Sequence, residues 1–393
     1  MRGKFLLVNR LADCSLRASR SNKGGARDGR HPNSDGCSVP LKAGAHIEAM
    51  SAFALANFGG YDGPTLAQNE SAFPPSPKAI AAGQDAIARS HLYPDPDWTA
   101  LRGAIAQAYG VERDMILCGA GSMDLISCAI AAFAGPGEEV LGTSYAYNFA
   151  ASAAARVGAA YVKAAEHDFT VSIDSILAAV TPATRIVFVC NPGNPTGTRI
   201  RNSELLRLRA ALRPDVLLVI DQAYGEFDDQ DPGPILALVA RGDTVVLRTL
   251  SKAYGLAGAR VGWGLFAPSV AAQVRKMQNS NQVTTPSLAM AVAAVEDQAY
   301  MRETVARTAG IRDRFAQDLR SAGYHVPESR ANFVLIRFAS VAAAEAAERT
   351  LRGADIIVRS LGGYGLTDCL RATVGPQEMM DRALRILIDM RGD

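Results

Sequence analysis

Histidine and cysteine are both scarce here, five and six residues in a chain of 393. Cys14, Cys37, Cys118, Cys128, Cys190 and Cys369 form no C-x-x-C pair or other metal-ligand spacing, which argues against a structural zinc and a disulfide framework. A reduced, cytoplasmic protein with no metal is expected, with Cys118 and Cys190 as small core fillers. Charge of one sign is missing too. Lys plus Arg number 41 against 39 Asp plus Glu, and a net charge of +2 points to neither nucleic acid nor an acidic surface as partner. No apolar run approaches a membrane span, and neither a twin arginine nor a signal-peptide core occurs. Nor does any segment repeat. What is present is 48% hydrophobic content, enough over this length for a large core in two domains.

The first 45 residues differ in kind. They are rich in Arg, Ser and Gly, especially over 17–30, and are expected to form a disordered extension. Transit peptides share this composition, but Asp13 and Asp28 count against one, and Met50 could be the true start.

Against that background one lysine stands out. Thr244-Val245-Val246-Leu247-Arg248-Thr249 reads as a strand and runs straight into Leu250-Ser251-Lys252-Ala253-Tyr254-Gly255-Leu256-Ala257-Gly258-Ala259-Arg260. Lys252 is thereby predicted at a strand's C-terminal end, where open α/β sheets place their chemistry. A lysine desolvated there is held as a neutral amine able to form an imine with an aldehyde. Thr249, Ser251 and Arg260 could together hold a phosphate. An aldehyde-binding lysine beside a phosphate cup points to pyridoxal 5'-phosphate (PLP). The competing reading of this segment alone is a surface Lys/Arg pair on a loop.

Two further apolar runs supply context. Arg185-Ile186-Val187-Phe188-Val189-Cys190 leads into the turn Asn191-Pro192-Gly193-Asn194-Pro195-Thr196-Gly197-Thr198, and Val216-Leu217-Leu218-Val219-Ile220 leads into Asp221-Gln222-Ala223-Tyr224. The three strand ends would gather at one edge of a parallel sheet. PLP needs a carboxylate at its pyridine nitrogen, for which Asp221 is the candidate, and neutral donors at its 3′ oxygen, for which Asn194 and Tyr224 fit. Singly, Asn-Pro-Gly is an ordinary turn and Asp221 a helix N-cap. Their joint occurrence in this order carries the argument.

This ordered set resembles the fold-type I PLP-dependent aminotransferases (class I/II), and more closely the histidinol-phosphate aminotransferase family, from about residue 66 to the C-terminus. The resemblance implies an α/β fold, with a mainly parallel sheet in a large PLP-binding domain (91–281). A smaller α/β domain (282–393) would be joined by an N-terminal arm and small-domain segment (46–90). It makes Lys252 the Schiff-base lysine and Asp221 the pyridinium partner, with Asn194 and Tyr224 on the 3′ oxygen and Ser251 and Arg260 on the phosphate. The turn Gly119-Ala120-Gly121-Ser122 opens a helix, and Ala120, Gly121 and Ser122 inherit phosphate binding. Tyr145 takes the place of the aromatic stacked on the cofactor ring, with Tyr147 the competing aromatic; Thr143 stands where the family usually has proline.

The resemblance also makes Tyr93 the residue that reaches the cofactor phosphate of a second copy, implying a homodimer with composite sites. Arg371 corresponds to the arginine for the substrate α-carboxylate, and Arg359 to one that reaches the substrate's far end, a phosphate in histidinol phosphate. Asn69, Glu70 and Asn332 fall near substrate, although Ser71-Ala72-Phe73-Pro74-Pro75 departs from the commoner Asn-Pro-Tyr/Phe-Gly form. The implied reaction is ping-pong transamination through an internal aldimine, from histidinol phosphate or a similar amino compound to 2-oxoglutarate. The rivals are an aromatic or other amino-acid aminotransferase and a threonine-phosphate-type PLP decarboxylase. A PLP-binding DNA regulator would need a module that the first 45 residues are too few and irregular to form.

Overall fold

A computed structural model describes residues 41–50 and 63–392. Most of the expected disordered extension, residues 1–40, lies outside the described residues, as do 51–62 of the arm. The strands are β1 (Ile116–Gly119), β2 (Glu139–Thr143), β3 (Ala160–Ala164), β4 (Glu166–His167), β5 (Thr170–Val171), β6 (Thr184–Cys190), β7 (Leu217–Asp221), β8 (Thr244–Thr249), β9 (Gly262–Phe266), β10 (Phe333–Arg337), β11 (Arg359–Leu361) and β12 (Leu366–Thr373).

Seven of them form one sheet in the order β1-β9-β8-β7-β6-β2-β3. Only β9 runs against the others. β7, β8 and β9 are buried along their whole length, and Val187-Phe188-Val189 of β6 and Val219-Ile220 of β7 are apolar on both faces. Such unbroken apolar runs belong to a parallel sheet covered by helices on both sides. Because β6, β7 and β8 are parallel, Cys190, Asp221 and Thr249 end at one edge, and the polar residues after each strand gather there.

β10, β12 and β11 form a separate antiparallel sheet whose core holds Leu66, Phe315, Leu319, Val334, Ile336 and Leu370. Leu66 bridges Val358, so the segment before Pro77 runs along this second sheet. The helix Thr285–Glu296 falls within the span 282–393 that the resemblance assigns to the smaller domain. It instead buries Ala291, Ala294 and Val295 in the core of the seven-stranded sheet and packs on the helix Pro77–Ile87. Its alanine-rich sequence allows that close helix contact. The 24-residue helix Gln298–Ser321 then spans both cores, with Met301 in the first and Phe315 and Leu319 in the second. Among the described residues no helix is long and apolar enough to cross a membrane.

One contact locks the start of the helix Ser122–Phe133 against β9. A Cβ on Gly262 would stand 2.3 Å from the Ser122 nitrogen and 2.5 Å from the Gly121 carbonyl carbon, both backbone atoms with little freedom to move. Gly262→Ala is therefore expected to lower unfolding stability by about 3 kcal/mol, the upper end of overpacking penalties. Gly103→Ala, mid-helix with open space around its Cβ, should raise stability by about 0.5–1 kcal/mol. Urea titration of the two variants checks both signs.

Candidate active site

At the C-terminal edge of β6, β7 and β8 opens a cavity of about 440 Å³. Its lining brings together Asn69, Ser122, Asn194, Asp221, Tyr224, Ser251, Lys252, Arg260, Arg359 and Arg371, ten of the residues singled out from sequence. They reach it from segments more than 300 residues apart.

Lys252 sits on the turn after β8, with its Nζ donating to the carbonyl of Asn69 at 2.8 Å and less closely to that of Gln68 at 3.4 Å. Burial of the ammonium, reinforced by the Arg371 guanidinium, pulls its pKa down to about 7. Asp221, the last residue of β7, accepts from the Ala223 N–H at 3.1 Å, and burial raises its carboxyl to about 7. A cation placed against this carboxylate would bring its pKa back down. The two groups thus share one poorly solvated space, each leaning toward its neutral form.

The segment 66–70 binds the two sheets to the site. Asn69 has φ +55° in the left-handed region, which asparagine tolerates better than most residues. Its Nδ2 donates to the Tyr224 hydroxyl at 2.8 Å, and its backbone N–H donates to Thr373 Oγ1 at 2.9 Å. Asn332 is not on the cavity wall. Its Nδ2 donates to the carbonyls of Asn69 (3.1 Å) and Glu70 (2.9 Å), so it shapes the site by fixing this segment. Arg371 donates to Asn194 Oδ1 and to the Ala67 carbonyl, both at 2.7 Å, leaving a buried Nε without a partner. Arg359 and Arg371 face each other across β11 and β12, which puts their side chains on one side of the sheet.

The other end of the cavity is an anion cradle. Gly121 has φ +82°, and a Cβ there would stand 2.6 Å from an Arg260 guanidinium nitrogen. The helix beginning at Ser122 presents free backbone N–H groups at this point. Ser122 and Met123 line the cavity together with Ser251, Thr249 and Arg260; Ala120 and Gly121 form the turn behind them. Thr249 Oγ1 donates to Ser251 Oγ at 3.0 Å, joining two hydroxyls on the wall.

Tyr145, expected over the cofactor ring, does not line the cavity. The turn after β2 closes with Ala146 N–H donating to the Thr143 carbonyl, while the Tyr145 N–H is held by Glu166 Oε1 at 3.1 Å. This aims the Tyr145 ring at Phe169, 6.1 Å between centroids, and Tyr147 lines the cavity instead. Tyr93 is 88% exposed and lies on another groove with Leu92, Trp98 and Val292, so its own chain does not bring it to the cavity. Tyr364, on the turn Gly362–Tyr364 between β11 and β12, also lines the cavity and escaped the sequence reading. Its Gly-Gly-Tyr-Gly setting looks like a plain surface turn.

The geometry suits PLP: a half-neutral lysine, a buried carboxylate, an aromatic wall and a helix N-terminus beside an arginine. A model of the family described as aminotransferase class I and II matches residues 62–387. The histidinol-phosphate aminotransferase of Jannaschia sp. (strain CCS1) is 43% identical over 322 residues, covering 82% of this chain and 89% of that protein. The histidinol-phosphate aminotransferase of Paramagnetospirillum magneticum (strain ATCC 700264 / AMB-1) is 44% identical over 80% of this chain and 87% of its own. Among solved structures, the histidinol-phosphate aminotransferase from Sinorhizobium meliloti in complex with pyridoxal-5'-phosphate superposes with a TM-score of 0.83 at 28% identity. It covers 88% of this chain and 97% of that one.

A depressed lysine pKa means the unfolded chain binds the proton more tightly than the folded one. Below about 7 the full cost of burying the charge falls on the folded state, and it fades as pH rises toward the ordinary value of 10.5. Cofactor-free Lys252→Met is therefore expected to melt above the cofactor-free wild type at pH 6, with the gap narrowing by pH 10. A gap that stays constant with pH would contradict this reading of Lys252.

Proposed function

The chain belongs to the histidinol-phosphate aminotransferase family, within the class I and II aminotransferases, and on that premise we propose that it moves the amino group of histidinol phosphate to 2-oxoglutarate in a ping-pong cycle. It is a transaminase of a PLP-dependent family. Ser122, Thr249, Ser251 and Arg260 would hold the phosphate of PLP, Asp221 its pyridine nitrogen, and Asn194 and Tyr224 its 3′ oxygen. Tyr147, in place of Tyr145, would cover the ring. When bound, PLP supplies an electron sink that stabilises negative charge on the carbon bearing the amine.

Lys252 supplies the proton traffic. With its pKa pulled to about 7, its Nζ is partly neutral at neutral pH and can take the proton from that carbon and return it to the cofactor side. Its short bond to the Asn69 carbonyl fixes where the amine stands.

The observation that carries the substrate reading is the facing pair Arg359 and Arg371. Histidinol phosphate has no carboxylate; its one anion is a phosphate dianion close to the reacting carbon. Two guanidiniums at directly opposite positions give this face of the sheet a doubly cationic character, which a dianion matches better than a singly charged group. The proposed division of labour therefore differs from one arginine per end of the substrate. Both close on the histidinol phosphate dianion in one half-reaction, and Arg371 takes the α-carboxylate of 2-oxoglutarate in the other. Tyr93, exposed on its own chain, would reach the phosphate of a partner's cofactor in a cytoplasmic homodimer.

A single-turnover assay following the visible band of the lysine-bound cofactor tests the proposal. Wild type is expected to convert fully to the pyridoxamine form with histidinol phosphate; no conversion with it, together with release of carbon dioxide from threonine phosphate, would mean a decarboxylase. Lys252→Ala should lose both the band and turnover. Arg359→Ala is expected to weaken histidinol phosphate by about 2 kcal/mol, roughly thirtyfold, and to leave 2-oxoglutarate nearly unchanged, whereas Arg371→Ala weakens both. Equal losses for the two substrates in Arg359→Ala would remove the clamp.

A further inference from the structure

A buried polar cluster lies against the turns that carry the site and takes no part in the cavity wall. Arg248 precedes Thr249 in β8, so its side chain leaves the opposite face from the cavity-lining threonine. It forms an ion pair with Glu226 at 3.0 Å, and the two side chains are only 3% and 2% exposed. A second nitrogen of Arg248 donates to Gln222 Oε1 at 3.0 Å. The Tyr109 hydroxyl donates to Glu226 Oε1 at 2.9 Å and stands 2.8 Å from the Tyr254 hydroxyl, which accepts from Gln298 Nε2 at 3.0 Å. The guanidinium also packs over the Tyr109 ring, 5.2 Å from its centroid.

The members of this cluster are sequence neighbours of the site. Gln222 follows Asp221, Glu226 comes two residues after Tyr224, and Tyr254 comes two after Lys252. The turn over the pair is tight: a Cβ on Gly225 would stand 2.9 Å from the central carbon of the Arg248 guanidinium. A buried ion pair adds little net stability compared with apolar packing, and its best-attested use is to fix one arrangement of the elements it joins. Here the joined elements are the two turns that hold Asp221 and Tyr224 on one side and Lys252 on the other.

We infer that Glu226 and Arg248 are positioning residues for transamination: their ion pair, extended through Tyr109 to Tyr254, fixes the Asp221–Tyr224 turn against the Lys252 turn and so sets how firmly the cofactor is held. The inference rests on the PLP reading above. Neither residue touches the cavity, and both act through the backbone of the turns they tie.

The test uses the full chain and PLP itself. Glu226→Gln, Arg248→Met, Arg248→Lys and Tyr109→Phe are compared with wild type by PLP dissociation constant, by the pH midpoint of the visible band, and by melting temperature. Glu226→Gln and Arg248→Met are expected to raise the PLP dissociation constant about tenfold or more and to move the band's midpoint by about one pH unit. Arg248→Lys, which keeps the charge but loses the fork, should fall between these and wild type. Tyr109→Phe removes one hydroxyl and keeps the ring, so it should fold and still shift the midpoint in the same direction. It decides the matter if the charge variants do not fold. Variants that melt lower yet match the wild-type PLP constant and band midpoint would reduce the cluster to packing and overturn the inference. A wild-type chain that takes up no PLP would overturn the proposed cofactor, and this inference with it.

Discussion

An ammonium taken out of water without a carboxylate bonded to it is an expensive thing to fold around, and the architecture of this chain is organised about one. Lys252 is held by two backbone carbonyls rather than by an acid, and the arginines nearby disfavour its charge further. What tolerates it is a rigid platform. Three parallel strands end in register, their flanks are buried on both faces, and the turns beyond them are braced from beneath by an ion pair. The same low-dielectric space lifts Asp221. One solvent-poor pocket thus brings both an amine and a carboxylate close to neutral pH, the condition on which the roles proposed for them depend.

The second sheet contributes through a short piece of chain. Leu66 is built into its core, yet three residues later Asn69 touches Lys252, Tyr224 and Thr373. Asn332, just before β10, and Arg371 of β12 fasten the same segment from the second sheet. Positions distant in sequence thus share a few hydrogen bonds, and the site exists only where both cores are complete.

Much of this was readable from residue order. Strand-ending runs followed by Asn194, Asp221 and Lys252 declare themselves, because a parallel sheet leaves unbroken apolar stretches and its chemistry must follow them. Tyr145 and Tyr147 were not separable that way: which aromatic faces the cavity is decided by a backbone bond from Ala146 and by Glu166 reaching from β4. Arg248 falls within the run read as β8, and nothing in that run marks it as the buried partner of Glu226 on the turn after β7. The helix Thr285–Glu296 shows the same limit, since an alanine-rich face is equally suited to either core. Long-range pairing of this kind leaves no periodic trace in a single sequence.

Arg371 has one more consequence. Its guanidinium already donates to Asn194 Oδ1 and the Ala67 carbonyl, which leaves the buried Nε–H and one N–H on each terminal nitrogen for an anion. An arriving anion therefore meets a fork that the chain's own acceptors already hold in place. The two bonds to the chain fix its orientation, and neither has to be surrendered when an anion binds or leaves. A fork ordered before the anion arrives loses little freedom on binding, which suits the proposal that one residue takes two different anions in turn.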